Sequence, residues 1–397
     1  MTNHLWHMMD RFEAAFPTVW AKTWVVDPSR EEDWRAADQW IRKRLRDAGV
    51  SERHIQQHSN NLFLRLRHRS PQYFGAKATA GDVVAGVVIP VISHESWADR
   101  IPRTISDRGQ QDWAIPNLAR FNKLERPYAV YTFDHETAHA IYHELPTPER
   151  PYAKGAQHRI TPQQDETFAD IAGGLGIVGH FGPTMATDTI ARIAHLRSLA
   201  AVHKHDIEHL TTRGLKRAMD TIGQPGDEAS RWQLTGMAGA RALARDIPRY
   251  AFSQDELDTL RDLRSLIKPS DTQTADKALI TAGALARKTP SPVIYEVMRD
   301  YIEAVEALVP ADRYQPGSMM RAKLNARRNP LAAEVDAQHP RVETTRMAAL
   351  TRVQIYQAGK RAANQPGEAA PSASSASVGS GTPKATEAAG HCRRPGL

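Results

Sequence analysis

Cysteine is almost absent from this chain: its 397 residues include one cysteine, Cys392. A single thiol excludes an intramolecular disulfide framework and a cysteine-rich zinc site. Long apolar runs are also missing, since the longest, residues 83–92, is about half of what a membrane helix needs. The N-terminus has no basic segment followed by an apolar one, so no secretory signal is predicted. We therefore expect a cytoplasmic protein without a membrane span.

Basic residues are in modest excess over acidic ones, which gives a net charge of +7 and a pI near 9.5. Hydrophobic residues make up 41% and charged residues 24%, which is ordinary for a globular protein. The basic residues cluster at three places: Arg42-Lys43-Arg44, Arg65/Arg67/Arg69 and Arg327-Arg328. Such clusters suit a nucleic acid or an acidic partner, although no nucleic-acid-binding motif accompanies them.

Helical spacing of apolar residues dominates and predicts an α+β fold that is predominantly helical. We expect an N-terminal helical region over 1–70, a core over 71–183 with a small sheet, and a helical region over 184–364. Residues 365–397 are rich in Ala, Ser, Gly and Pro, which predicts a disordered tail. The helices predicted after residue 184 are 187–203, 206–220, 228–245, 254–267, 275–287, 292–309 and 342–362.

Two stretches of the N-terminal region carry local signals. Ser29 and Glu32 have the spacing of a capping box, which predicts a helix that ends at Gly49. Residues 51–69 fit a helix, but the alternation over 62–67 also fits a strand, and the pattern leaves both open.

The first strand signal is the β-branched run 83–92, bounded by turn residues. Pro90 cannot donate to a ladder, so this is either an edge strand able to pair with an extended peptide or a core strand that ends at Pro90. Residues 128–133 are also open: they form a strand that leads into the next helix, or Pro127 sits in the first turn of that helix.

The strongest motif is His135-Glu136-Thr137-Ala138-His139, of the form H-E-x-x-H. Residues four apart share one face of a helix, so His135 and His139 can offer two imidazole nitrogens to one metal ion. Glu136 lies about 100° round the helix, within reach of a water on that metal. This is the layout of a zinc-dependent hydrolase, which needs a third protein ligand and an open fourth position.

The third ligand is predicted on the next helix. Thr161-Pro162-Gln163-Gln164 is a strong helix start, and Glu166 and Asp170 follow on one face. The glycines from Gly173 to Gly182 follow no strand in the order of a phosphate-binding loop, so we expect them to serve helix packing or a loop.

These residues resemble the gluzincin (thermolysin-like) zinc metallopeptidases at His135, Glu136, His139, Glu166 and Asp170. The resemblance covers roughly residues 128–172 and implies a zincin-like core. The string from Glu166 to Asp170 also looks like the E-x-x-A-D string of some membrane-bound gluzincins. Gly173 stands where those proteins have alanine, and this chain lacks their transmembrane helices.

The resemblance implies one Zn²⁺ held by His135, His139 and Glu166, with Asp170 orienting a ligand histidine. Glu136 would accept the proton of the attacking water and pass it to the leaving amine of a peptide or protein substrate. The side chains that could stabilise the oxyanion are His180, His158, Tyr152 and His143.

Other ligand sets fit less well. His143 is eight residues from His135, about 12 Å along one helix, too far to share its metal. Tyr142 and Leu145 occupy the glycine and third-histidine positions of the metzincin pattern, which excludes that class. The function expected is thus a soluble zinc metallopeptidase. The alternative is a basic helical module that binds nucleic acid or protein and has a structural or vestigial zinc site.

Overall fold

The computed structural model describes residues 3–27, 30–68, 72–78, 83–90, 125–145, 162–224 and 236–364. Helices dominate these residues, and three short strands form one sheet. The predicted predominantly helical α+β fold with a small sheet is thereby confirmed. The strands are β1 (Thr23–Val25), β2 (Gln72–Lys77) and β3 (Val83–Ile89). The helices are α1 (Asn3–Ala15), α2 (Pro17–Trp20), α3 (Glu31–Asp47), α4 (Glu52–His68), α5 (Glu125–Glu144), α6 (Pro162–His203), α7 (Thr212–Thr221), α8 (Gly236–Asp246), α9 (Gln254–Arg261), α10 (Leu263–Leu266), α11 (Ala275–Lys288), α12 (Pro292–Leu308), α13 (Pro316–Arg327), α14 (Ala332–Gln338) and α15 (Val342–Asn364).

The sheet has the order β1-β3-β2, with β1 parallel and β2 antiparallel to β3. The prediction that 83–92 is an edge strand is therefore wrong, and the alternative of a core strand is correct. Pro90 follows the last paired residue, Ile89, so its missing N–H removes no ladder bond. Within the described residues the edge positions belong to β1 and β2, which the sequence pattern did not reveal because both are short and irregular.

Side chains of β3 alternate between two cores. Ala85, Val87 and Ile89 are buried against α3 and α4, whereas Val88 belongs to the core that surrounds α5. The sheet therefore lies between the α3–α4 pair and α5, and it forms one wall beside the H-E-x-x-H helix.

In the stretch 51–69, the described residues Glu52–His68 form the helix α4. Ile55, Leu62 and Leu66 are fully buried at helical spacing, so the alternation over 62–67 is incidental. Helix α3 begins after Arg30, whose side chain makes no cap hydrogen bond. Ser29 lies outside the described residues, so its capping box stays a prediction.

Helices α5 and α6 pack closely against each other. Residues 128–133 belong to α5, and Pro127 lies in its first turn. Of the two alternatives for this stretch, the helix is therefore correct and the strand is wrong. Helix α6 passes through the predicted glycine-rich stretch and is interrupted only at Gly182, where φ is 79° and Pro183 follows. A Cβ on Gly173 would lie 2.8 Å from the backbone oxygen of Tyr131, so the glycine permits this approach.

The described residues after 184 are mostly helical, and the elements differ from the prediction in several details. The helix predicted over 254–267 is divided into α9 and α10, and residues 228–235 of the helix predicted over 228–245 lie outside the described residues. The segment expected as one helix over 206–220 becomes helical only at Thr212. Helices α13 and α14 were not predicted. Residues Met1–Tyr356 form one compact unit, and Gln357–Leu397 form a second, whose described residues are helical. The predicted tail lies outside the described residues. Among the described helices, none is long and apolar enough to cross a membrane.

Candidate metal centre

Three side chains from α5 and α6 converge on one point. Nε2 of His135 lies 3.3 Å from Nε2 of His139 and 3.4 Å from Oε2 of Glu166. Nε2 of His139 lies 3.7 Å from Oε1 of Glu166. A tetrahedral zinc ion with bonds of about 2.0–2.1 Å separates its ligand atoms by about 3.4 Å. The three side chains therefore have the spacing of a zinc ligand set.

Each histidine has a carboxylate on its other ring nitrogen. Nδ1 of His139 is 2.9 Å from Oδ1 of Asp165, and Nδ1 of His135 is 2.7 Å from Oδ1 of Asp170. The contact between His135 and Asp170 is short, but its angle does not meet the geometry of a regular hydrogen bond. A proton on each Nδ1 leaves the Nε2 lone pairs directed at the shared point. Asp170 was expected in this role, whereas Asp165 was not.

Asp170 is fully buried at the centre of a polar network. Arg197 donates two hydrogen bonds to it, at 3.0 Å from Nε and 2.8 Å from Nη2. The hydroxyls of Tyr131 and Thr211 also donate to it. Burial raises the pKa of Asp170, but the charges of Arg197 and His135 outweigh this and hold the pKa well below its usual range. Asp170 therefore stays ionised and orients His135.

The acidic neighbours make the histidines basic. Burial lowers the pKa of His135, but Asp170 and Glu166 outweigh it and raise the pKa to about 10. For His139, Asp165 and Glu166 likewise overcome burial and raise the pKa to about 9. Burial raises the pKa of Glu166, yet the close contacts with His135 and His209 and the charge of His139 bring it well below its usual range.

These shifts show that the cluster favours positive charge at its centre. In addition, Oε2 of Glu166 is buried and accepts no hydrogen bond within the described residues. An orphaned carboxylate oxygen facing two imidazole lone pairs suits a bound cation, because the cation satisfies all three atoms at once. The residues present therefore fit a zinc ion.

Glu136 is buried beside the two histidines, and one of its oxygens lies within 4.8 Å of a nitrogen of each. The backbone of Tyr73 in β2 lies close to its carboxylate and favours the ionised form. Burial raises the pKa of Glu136, and His135 and His139 oppose that rise. A carboxylate with a raised pKa, held next to a metal position, is suited to accept a proton.

Two further residues of this site carried no signal in the sequence. Nε2 of His209 lies 3.3 Å from Oε1 of Glu166, and its Nδ1 lies 2.7 Å from Asp206. The ring of Tyr73 stacks on the rings of His139 and His143, with centroids 6.4 and 5.9 Å apart. Only the spacing of Asp206 and His209 at i and i+3 could have pointed to a pair, and it is too common to single out.

Of the four side chains proposed as oxyanion stabilisers, the structure describes His180 and His143, and it does not bring these two together. His180 lies about 21 Å from Glu166 along α6, at roughly 1.5 Å per residue, and its ring meets that of His7. His143 reaches the site's margin, with Nε2 3.7 Å from Oδ2 of Asp165. His158 and Tyr152 lie outside the described residues. Their predicted role stays untested, and the structure adds His209 as a candidate.

The basic clusters are partly used within the fold. Arg42 hydrogen-bonds Asp38 and Ser59, and Arg44 lies over the ring of Trp40. Arg65 donates to the side chain of Gln72. Arg327 and Arg328 are exposed, and Arg69 lies outside the described residues. Binding of nucleic acid or an acidic partner by these clusters stays a prediction.

Comparison with protein-family models, curated proteins and solved structures finds no match to this chain. Its function must therefore be argued from the geometry of the site. That geometry has two parts: His135, His139 and Glu166 at separations that suit a metal ion, and the buried Glu136 next to them.

Proposed function

We propose that this protein is a zinc-dependent hydrolase that cleaves peptide bonds. The observation that carries the proposal is the convergence of His135, His139 and Glu166 at separations of 3.3–3.7 Å, beside the buried Glu136. A structural zinc site would be closed by a fourth protein ligand, whereas a catalytic site keeps that position open.

Zinc bound there would supply Lewis acidity, which lowers the pKa of a water and polarises a carbonyl. Glu136 would accept the proton of the attacking water and deliver it to the leaving amine. Asp165 and Asp170 hold the two imidazoles in the tautomer that leaves Nε2 free. His209, with Asp206 on its Nδ1, is the side chain placed to donate a hydrogen bond to the developing oxyanion.

The exposed edge of β2 supports a peptide as the substrate. In the described part of the sheet, β2 pairs with β3 on one side only. The amide of Gly86 and the carbonyl of Val88 point toward β1. Gly86 is paired with Gly75 and Val88 with Tyr73, and neither pair is hydrogen-bonded across β2 and β3. The backbone N–H and C=O groups of Gly75 and Tyr73 therefore point away from β3. Since Tyr73 reaches Glu136, an extended peptide pairing at Gly75 would lie next to the metal centre.

Zinc content tests the ligand set. Elemental analysis of the purified protein after zinc loading and dialysis should give about one zinc per chain, the stoichiometry of a single site. The Glu166→Ala variant should lose most of it. Asp206→Asn is the matched control, because Asp206 contacts His209 and no ligand atom, and it should keep zinc. A zinc-free wild type after loading would refute the site.

Hydrolysis of an unfolded protein such as casein tests the chemistry. Glu136→Gln should keep one zinc and lose about 10²- to 10⁴-fold in kcat, the usual contribution of a general base. Full activity in this variant would rule out the proposed mechanism. Once a peptide substrate is known, an analogue with N-methylated backbone amides near the scissile bond can be compared with it. If the substrate pairs with β2, the analogue should be cleaved poorly.

A further inference from the structure

A second polar cavity, of about 580 Å³, lies in the helical region, away from the metal centre. Helices α6, α12, α13 and α15 contribute to its walls. Part of the lining is apolar: Ala191, Ile302, Leu308 and Ala326. This volume is within the range of small-molecule pockets, which combine apolar walls with a few convergent polar groups.

Most charged groups of the lining are already paired. Arg346 contacts Asp188 at 2.6 Å and Glu343 at 2.6 Å. Lys323 pairs with Glu306. Arg299 is paired as well, with Asp300 at 2.6 Å and Asp336 at 2.7 Å. These cations therefore do not require an anionic ligand.

Two atoms of the lining are buried without a hydrogen-bond partner among the described residues: Oε2 of Glu303 and Nδ1 of His195. Glu303 uses its other oxygen to accept a hydrogen bond from the backbone N–H of Glu343, at 2.8 Å. His195 is only 3% exposed. A buried polar atom without a partner destabilises the folded protein, so such atoms are expected to find one.

Oε2 of Glu303 calls for a hydrogen-bond donor, and so does Nδ1 of His195 in the tautomer that carries the proton on Nε2. Burial, with Asp300 adding to it, raises the pKa of Glu303 to about 7, because it outweighs the N–H of Glu343 and the charges of Arg299 and Arg341. Burial lowers the pKa of His195 to about 4, so the ring is neutral and one of its nitrogens is an acceptor. A cation that carries N–H groups would satisfy an ionised Glu303 and a neutral His195 together.

We propose that this cavity binds a small organic cation, an aliphatic amine or guanidine, whose N–H groups reach Glu303 and His195. The apolar wall residues would cover its methylene groups. The unpartnered oxygen of Glu303 is an acceptor, and the lining cations Arg299 and Lys323 already have carboxylate partners. The inference does not depend on the proposed hydrolase activity, because none of these residues belongs to the metal centre.

Titration calorimetry on the full-length protein tests the proposal, with putrescine and agmatine as probes for the ammonium and guanidinium classes. At least one should bind at one molecule per chain. The uncharged 1,4-butanediol, with the same carbon chain as putrescine, should bind at least tenfold more weakly, and so should the dianion glutarate.

Variants locate the binding. Glu303→Gln should weaken the cation at least tenfold, because it replaces the unpartnered oxygen by a donor group. Glu306→Gln is the matched control, since Glu306 lines the same cavity but is paired with Lys323, and its Kd should change less than threefold. Glu166→Ala at the metal centre should leave the Kd unchanged. A change there would assign the amine to zinc and overturn the proposal.

The remaining outcomes are also decisive. If Glu303→Gln lowers the melting temperature too far to be tested, His195→Leu removes the second acceptor and should weaken binding at least threefold. Failure of both amines to bind at 10 mM, or equal binding of 1,4-butanediol, would mean that the cavity holds only water. If neither Glu303→Gln nor His195→Leu alters the Kd, the cation lies elsewhere.

Discussion

The two halves of α6, which meet at Gly182, each place polar side chains at a site, and they do so in different ways. The half before Gly182 carries Glu166, whose carboxylate lies next to Nε2 of His135 and Nε2 of His139, and Asp170, which contacts Nδ1 of His135. The half after it carries Asp188 and His195, which line a cavity where most charges are already paired. The polar atoms left without partners differ accordingly: a tight group of acceptors in the first case, two acceptors in a wide space in the second.

That difference indicates the kind of ligand each site suits. Acceptors 3.3–3.7 Å apart leave room for a single ion and no more. Acceptors that line a cavity of about 580 Å³ leave room for a molecule with several heavy atoms. Burial alone does not distinguish the two sites, since His135 and His195 are both buried, with exposed fractions of 6% and 3%.

The largest effect we expect comes from Asp170→Asn, which leaves Arg197 without its carboxylate. Breaking a buried pair costs about 3–5 kcal/mol. We expect about 3 kcal/mol, the lower end of that range, because the Arg197 side chain keeps 21% exposure. Urea denaturation of the zinc-free protein measures it.

Asp188→Asn provides the comparison from the other half of the helix. Asp188 pairs with Arg346 at the margin of the cavity, and its side chain is 38% exposed. Pairs of this kind contribute about 0–1 kcal/mol. Equal losses of unfolding free energy in the two variants would show that the carboxylate network at the metal centre is no more important for stability than an exposed pair.

Asp165→Asn tests whether orientation of His139 matters for the metal. Loss of such an orienting carboxylate costs about 10- to 100-fold in metal affinity. We expect the lower end of that range, near tenfold, because the Asn carbonyl can still accept the Nδ1–H. Zinc affinity is measured by competition with a chromophoric chelator. Asp206→Asn, which removes the carboxylate beside the non-ligand His209, should change the zinc affinity less than threefold. If it lowers the affinity as much as Asp165→Asn does, the effect is one of charge and not of orientation.

A further prediction concerns the packing between α5 and α6. Gly173→Ala places a Cβ 2.8 Å from the backbone oxygen of Tyr131 and should destabilise the protein by about 1–3 kcal/mol, the usual cost of overpacking. Gly317→Ala in α13 meets no atom within 4 Å and should be neutral or slightly stabilising, by up to about 1 kcal/mol. Thermal denaturation of both variants provides the test. Similar melting temperatures would contradict the close approach of the two helices.

Several features of the fold followed from local pattern. The helical spacing of 275–287 and 292–309 predicted α11 and α12 to within a residue or two. Strand β3 was recognised from its β-branched run, but its central position was not, because position in a sheet depends on partners elsewhere in the chain. Strands β1 and β2 escaped detection because three to six residues carry too little periodicity.

By itself, the sequence determined the local geometry of the candidate site. The spacing of four residues places His135 above His139, and Glu166 above Asp170, on any regular helix. Only the tertiary structure decided that the two helix faces meet, that Asp165 reaches His139, and that Thr211, Tyr131 and Arg197 surround Asp170. The difference comes from the distance along the chain. A helix turns once every 3.6 residues, so the residues that share one face can be read from the sequence. Contacts between residues 26 to 41 positions apart depend instead on how whole helices pack.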